Sequence, residues 1–139
     1  MNPLSDPVIV AAIAEAWRDS TADNPDTRHE EGGYIVQNPD GTLTLERWPS
    51  GEQFQIVPPA LDSNNCYNGR MVVATFHTHP NPPVDESGRK WDQAPGAADK
   101  RWHHRRNLRG FVISAAQVFE ITPDGNVVVI GKREEVLKP

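Results

Sequence analysis

The sequence predicts a single domain of the α+β class, in which helices and strands occupy separate stretches of the chain. An apolar face with helical spacing lies near the N-terminus, and short runs of β-branched and aromatic residues, separated by turn sequences, make up much of the remainder. The length of 139 residues suits one domain, which we assign to residues 1–139. The order of helix, strands, helix and strands is typical of an α+β fold.

The first helix is predicted over residues 6–20. Asp6 can cap this helix, and Pro7 fits its first turn. The polar segment 21–30 follows the helix and is predicted as a loop. The apolar face of the helix is formed by Val8, Ile9, Ala12, Ile13, Ala16 and Trp17.

Most of the remaining chain is predicted as strands. The turn sequences NPDG and PDG indicate hairpins between the first two and the last two of them. The most apolar run, MVVATFHTH, is predicted to be the central strand. The predicted strands are residues 34–37, 42–48, 54–57, 71–79, 110–115, 117–122 and 126–131.

A long loop over residues 80–95 separates the central strand from a second helix, predicted over 97–107 with Gly110 soon after its end. Loops of this length without secondary structure are usually functional or disordered. The length of this loop is therefore consistent with a functional role.

Composition excludes several classes of function. The formal net charge of −5 does not favour nucleic-acid binding, and no apolar run approaches the roughly 18 residues of a membrane span. No secretory signal is visible at the N-terminus, so the expected location is the cytoplasm, unless a specialised secretion system delivers the protein. The single cysteine, Cys66, excludes an internal disulfide and a thiolate zinc cluster.

Two histidines end the central strand. Side chains alternate between the faces of a strand, so His77 and His79 project from one face and are close enough to share a metal ion such as zinc. A third ligand would come from a carboxylate elsewhere, and Asp99 begins the predicted second helix. Glu30 and Glu31 precede the first strand, and one of them is a candidate general base.

Other polar and aromatic residues receive simpler interpretations. His103 and His104 are predicted to belong to a solvated basic face of the second helix, and His29 to a surface loop. Trp91 and Trp102 flank Asp99, either lining a groove or packing the loop against the domain.

Taken together, these residues resemble the JAB/MPN family of metalloproteases, whose signature is called JAMM. EEGG at 30–33 fits the E-x-x-G element, HTHP at 77–80 fits H-[S/T]-H-P, and PGAAD at 95–99 fits P-S-x-x-D except at the serine. The resemblance covers roughly residues 8–130. It is closest to the bacterial JAB-like domains of toxins and secreted effectors.

The resemblance implies a mixed β-sheet flanked by helices, of the cytidine-deaminase-like kind. It implies zinc binding by His77, His79 and Asp99, with Glu30 as the catalytic group that moves the proton. The implied reaction is hydrolysis of a peptide or isopeptide bond, and a ubiquitin-like protein is one candidate substrate. A role as toxin or effector would add a cognate immunity protein as a partner.

One position departs from the family pattern. Gly96 stands where the family has a serine that helps to hold the oxyanion, and losing one such donor typically costs about 10² to 10³ in turnover. In another register of the motif, Ser87 would be that serine, and Lys90 would then stand at the aspartate position. This register is excluded because a lysine cannot serve as a carboxylate ligand. Asp92 is the second candidate for the carboxylate ligand.

Two other functions remain open. A weakened or silent JAB-like domain that binds a partner is the first, because Gly96 lacks the hydroxyl. A zinc enzyme of another class, acting on a small amide or as a deaminase, is the second; zinc deaminases usually need His/Cys/Cys ligands, and this chain has one cysteine.

Overall fold

A mixed β-sheet forms the centre of the molecule in the computed structural model, which describes residues 2–138. The strands are β1 (Gly32–Gln37), β2 (Leu43–Arg47), β3 (Cys66–Tyr67), β4 (Arg70–His79), β5 (Arg109–Ser114), β6 (Gln117–Ile121) and β7 (Val127–Lys132). They lie in the spatial order β2-β1-β4-β5-β6-β7, with the two-residue β3 attached to β4. β4 and β5 are parallel, and the other pairs are antiparallel.

Helices flank this sheet, so the prediction of a single domain with a mixed sheet between helices is confirmed at this level. No helix within residues 2–138 is both long and apolar enough to cross a membrane. The helices are α1 (Pro7–Asp19), α2 (Ala97–Arg106) and α3 (Arg133–Val136), and a 3-10 turn (Pro3–Ser5) precedes α1.

α1 covers one face of the sheet. The Asp6 carboxylate accepts a hydrogen bond from the backbone N–H of Val8 at 2.9 Å, which confirms the predicted cap. The apolar stripe of α1 packs against alternate residues of the central strands, because side chains on one face of a strand recur every second residue. The fully buried members of this core are Ile9, Ile13, Ala16, Ile35, Ala74, Phe76, Ile113 and Val118.

The opposite face carries a smaller core next to α2. Tyr34, Val72 and Leu108 are buried there, and Trp48 and the partly buried Trp102 close its edge. Thr75, His77 and His79 project on this face too, since they alternate with the residues of β4 that pack against α1.

The two predicted hairpins are confirmed. β1 and β2 are joined by a turn in which the Asn38 N–H donates to the Thr42 carbonyl and Gly41 has a φ of +86°. β6 and β7 are joined in the same way around Gly125, whose φ is +84°.

The predicted strand over residues 54–57 is wrong. Both edges of β1 are already paired, with β2 and with β4, and two prolines follow the segment. These residues have no regular secondary structure and follow a turn closed by the Glu52 N–H donating to the Gln55 carbonyl. The start of this turn pairs with Glu30: the Glu30 N–H donates to the Glu52 carbonyl, and the Gly51 N–H donates to the Glu30 carbonyl. This turn lies beside the candidate site.

α2 is one residue shorter than predicted, because Asn107 caps it in the left-handed conformation with a φ of +54°. Gly110 lies inside β5, within the strand predicted over residues 110–115. The helix α3 was not predicted, because four residues are too few to show a periodic pattern. It brings Leu137 into the core on the α1 side.

Candidate metal centre

The topology of the sheet brings three separate segments to the C-terminal end of β4. β1 runs antiparallel to β4, with Gly32 opposite His77, so the chain just before β1 lies beside the two histidines. β4 and β5 are parallel, and α2 lies between them in sequence. A crossover helix runs back along the sheet, so its first turn, which carries Asp99, begins near the end of β4.

The side chains from these segments converge. The Nε2 atoms of His77 and His79 are 3.3 Å apart, and Oδ2 of Asp99 lies 3.3 Å from Nε2 of His77. One ligand atom from each of Glu30, His77 and His79 lies within 4.8 Å of the others, and that cluster can hold a metal ion. Asp99 is outside that group of three but contacts it through His77.

The donor set fits a divalent cation of the zinc type. Zinc binds imidazole nitrogen and carboxylate oxygen, and a catalytic site takes three protein ligands. Nδ1 of His79 lies 3.1 Å from the carbonyl oxygen of Gln93. A carbonyl only accepts hydrogen bonds, so Nδ1 carries the proton and the lone pair of Nε2 faces His77.

The two carboxylates of the centre have opposite pKa shifts. Burial raises the pKa of Glu30 to about 7, with His77 opposing the rise and Asp99 adding to it. Burial alone would also raise the pKa of Asp99, but the hydrogen bond and the charge of His77 outweigh it and bring the pKa to about 2. Asp99 is therefore ionised near neutral pH, while Glu30 is close to its titration point.

The two histidines also differ. Burial and the neighbouring His77 lower the pKa of His79 to about 4, so its imidazole is neutral at pH 7, as a metal ligand must be. Burial acts on His77 in the same direction, but the hydrogen bond and charge of Asp99, together with Glu30, outweigh it and raise the pKa of His77. His77 and Asp99 therefore form an ion pair, in which the carboxylate is held ionised and the pKa of the imidazole is raised.

Glu31 lies in a different network. Its carboxylate accepts hydrogen bonds from Arg47 at 2.7 Å and Ser50 at 2.6 Å, and it lies 2.5 Å from Nε2 of His29. Arg47 also contacts Asp19 at the end of α1. Of the two candidate glutamates, Glu30 is therefore the one at the metal centre, and Glu31 joins the start of β1 to β2.

The other candidates from the long loop lie around the centre. Ser87 is exposed, and its hydroxyl donates to Asp85 within a turn at 2.6 Å. Asp92 is exposed at the rim of a cavity that Gly96 and Asp99 also line. Gly96 precedes α2 in an ordinary extended conformation, and a Cβ added there would meet no atom within 4 Å.

The loop over residues 80–95 is held in place by side chains. Arg28 donates two hydrogen bonds of 3.0 Å to the carboxylate of Glu86, and the Arg28 side chain is 3 % exposed. Asn81 and Gln53 exchange two hydrogen bonds of 2.8 Å, which join this loop to the turn beside Glu30. The loop is therefore tied to the same backbone that carries Glu30.

The prediction for His103 is wrong, because this side chain is buried. It lies on the sheet side of α2, 4 % exposed, whereas His104 is exposed as predicted. Nδ1 of His103 donates to the carbonyl of Asp99 at 2.7 Å, and Nε2 accepts from the Thr75 hydroxyl at 2.7 Å. Gly110 makes room for this pair, since a Cβ there would lie 2.3 Å from Nε2. His103 thus fastens the turn that carries Asp99 to β4.

Two cavities meet at the metal centre, and Glu30, His79, Asp99 and Phe54 border both. The larger has a volume of about 350 Å³ and the smaller about 280 Å³. Trp102 lines the larger cavity and Trp91 the smaller. Trp91 also packs the loop, because it stacks on Phe54 with ring centroids 6.2 Å apart and donates to Asp85.

Comparisons of the chain with models of protein families, with curated proteins and with solved structures found no match.

Metal content is the first test of this centre. We expect purified protein to hold close to one zinc ion per chain, and His77→Ala and His79→Ala to hold little, because each removes an imidazole ligand. Elemental analysis measures this. His104→Ala, which removes an exposed imidazole from the same helix as Asp99, is the control and should keep its zinc. Equal zinc in all four proteins would exclude the site.

The raised pKa of Glu30 predicts a pH-dependent stability of the metal-free protein. A carboxyl with a pKa of 4.5 in the unfolded chain and about 7 in the folded one destabilises the fold as it ionises, and this cost is complete above pH 7. We expect Glu30→Gln to raise the unfolding free energy at pH 8, by on the order of 3 kcal/mol, and by much less at pH 5. Chemical denaturation in the presence of a chelator measures the unfolding free energy of the two proteins at each pH. An equal effect of Glu30→Gln at pH 8 and pH 5 would contradict the conclusion that burial raises the pKa of Glu30.

Proposed function

We propose that this protein is a zinc-dependent metallopeptidase or isopeptidase of the JAMM type. One observation carries the proposal: the residues that match the JAMM signature, from three separate segments, converge on one cleft. Glu30, His77 and His79 form a compact cluster of ligand atoms, and Asp99 contacts that cluster at His77. The mixed sheet between helices supports the same family, which we propose also for the fold.

His77, His79 and Asp99 are the proposed zinc ligands. Asp99 suits this role because its low pKa keeps it ionised, and His79 because its Nε2 is unprotonated. Zinc at this position would supply Lewis acidity, which polarises a carbonyl group and lowers the pKa of a water to about 7.

Glu30 is the proposed general base and acid. It is 6 % exposed and has a pKa of about 7, which allows it both to take a proton and to return one near neutral pH. Glu30 removes a proton from the water that attacks the carbonyl carbon of the substrate. It then delivers the proton to the amine nitrogen as the C–N bond breaks.

The compact cluster also allows the reverse assignment, in which Glu30 is the third ligand beside the two histidines. The two assignments differ in what each carboxylate does for zinc affinity. If Asp99 is the ligand, Asp99→Asn loses zinc while Glu30→Gln keeps it. If Glu30 is the ligand, the results are reversed.

The proposed substrate is a protein or peptide, with the tail of a ubiquitin-like protein as one candidate for an isopeptide substrate. A toxin or effector role, with an immunity protein as partner, rests on the resemblance of the segment from His77 to Asp99 to bacterial JAB-like domains. Delivery by a specialised secretion system belongs to the same proposal.

A silent, partner-binding domain is the second candidate function. It is favoured by Gly96, which supplies no hydroxyl where the signature has a serine. The open space around Gly96 means that the missing hydroxyl is not replaced by a side chain within 4 Å of where its Cβ would lie.

Hydrolysis tests the first candidate directly. We expect a purified ubiquitin-like fusion or an unstructured protein to be cleaved, and Glu30→Gln to lower the rate by about 10² to 10⁴ while the zinc content stays the same. Gel analysis and mass spectrometry of the products measure this. Zinc-loaded protein that cleaves nothing, with no difference between the wild type and Glu30→Gln, would favour the silent domain.

Restoring the serine tests the role of position 96. Gly96→Ser should fit without a clash and raise turnover, by up to about 10²-fold, because one oxyanion donor is regained. Gly96→Ala is the matched control, since it adds a Cβ in the same open space but no hydroxyl. Initial rates at saturating substrate measure the effect; equal rates for the two variants would show that this position plays no part in oxyanion binding.

A further inference from the structure

The larger cavity beside the metal centre has an apolar wall. Its catalytic side is formed by Glu30, His77, His79 and Asp99, and its volume of about 350 Å³ lies in the range of about 300 to 1,000 Å³ that is usual for ligand pockets. Much of the remaining lining is apolar and comes from Trp48, Phe54, Ile56, Pro58 and Trp102, while Gln55 and His103 also border the cavity.

The aromatic part of this wall is held by its own packing. Trp48 is 6 % exposed and packs edge-on against Tyr34, with ring centroids 5.0 Å apart. The Tyr34 hydroxyl donates to the carbonyl of Pro59 at 2.6 Å, which fixes the turn that carries Ile56 and Pro58. The cavity is therefore formed before a ligand arrives, and binding does not have to order its walls.

The smaller cavity is different in character. Asn81, Asp92 and Gly96 line it together with Trp91, and it is the more polar of the two at its rim. The metal centre lies between the two cavities. A chain bound across the centre therefore meets an apolar pocket on one side of the reacting bond and a more polar, open surface on the other.

We propose that this enzyme selects a substrate with a large apolar side chain, such as phenylalanine, leucine or methionine, next to the scissile bond. This inference rests on the proposed function. The side chain fills the larger cavity, where it leaves water and contacts Trp48, Ile56 and Trp102. A Gly-Gly tail of the ubiquitin-like type leaves that cavity empty and gains none of this binding, so the preferred substrate is a peptide bond within an apolar segment.

Peptides that differ on each side of the cleaved bond test the proposal. We expect kcat/KM to be at least about 10-fold higher for a large apolar residue in one of the two adjacent positions than for glycine there. Ile56→Trp, which adds a large side chain to the lining of this cavity, should reduce the ratio to near one.

Val57→Trp is the matched control. Val57 is the next residue in the turn, is 68 % exposed and lies outside the cavity lining, so the same added side chain should leave the ratio unchanged. Thermal melting shows whether both variants fold. A preference for glycine, or a ratio that Ile56→Trp does not alter in folded protein, would overturn the proposal.

A binding experiment separates failure of this inference from failure of the proposed function. Phenylalanine hydroxamate and glycine hydroxamate, titrated into zinc-loaded protein by calorimetry, differ only in the side chain that would enter the cavity. At least about 10-fold tighter binding of the phenylalanine compound, lost in Ile56→Trp, supports the inference even if no peptide is cleaved. Equal affinities overturn the inference alone, and a protein that binds no zinc overturns both.

Discussion

The centre of this structure depends on the position of the C-terminal end of β4. The neighbouring strand β1 is antiparallel to β4, so β1 begins beside the end of β4. The neighbour on the other side, β5, is parallel to β4, so the connecting chain must run back along the sheet, and its helix α2 begins near the end of β4. Glu30 and Asp99 are therefore brought to His77 and His79 by strand pairing, not by contacts among the polar side chains themselves. A different strand order would leave the same residues far apart.

This arrangement divides the site into a rigid part and a variable part. The histidines belong to a strand that is paired on both sides, and Asp99 is tied to that strand through the buried pair of His103 and Thr75. Much of the cavity walls comes instead from the turn at 50–59 and the loop at 80–95, with Trp48 and Trp102 completing the larger cavity. A scaffold of this kind keeps the candidate metal ligands in place, while changes in the loops can alter the cavities without disturbing those ligands.

The two carboxylates of the candidate centre show how environment moves the pKa values of chemically similar groups in opposite directions. Glu30 is buried with no cationic partner as strong as the one that Asp99 has in His77, so burial prevails and its pKa rises. Asp99 is more exposed and contacts His77 directly, and its pKa falls. Pairs of titratable groups with pKa values pushed apart are typical of sites that perform acid–base chemistry.

The sequence by itself determined most of the elements, because helical periodicity, hairpin turns and the Asp6 cap are local signals. It also indicated His77 and His79 as a pair, since alternation along a strand needs no knowledge of the fold. Residues 54–57 show where local signals fail: they have strand composition, but no strand edge is free for them beside β1. The tertiary structure places Glu30 and not Glu31 beside the histidines, as the E-x-x-G match implied. Only the tertiary structure decided that His103 is buried and that an apolar cavity adjoins the centre. These features depend on which distant segments pack together, and the patterns of neighbouring residues do not record that information.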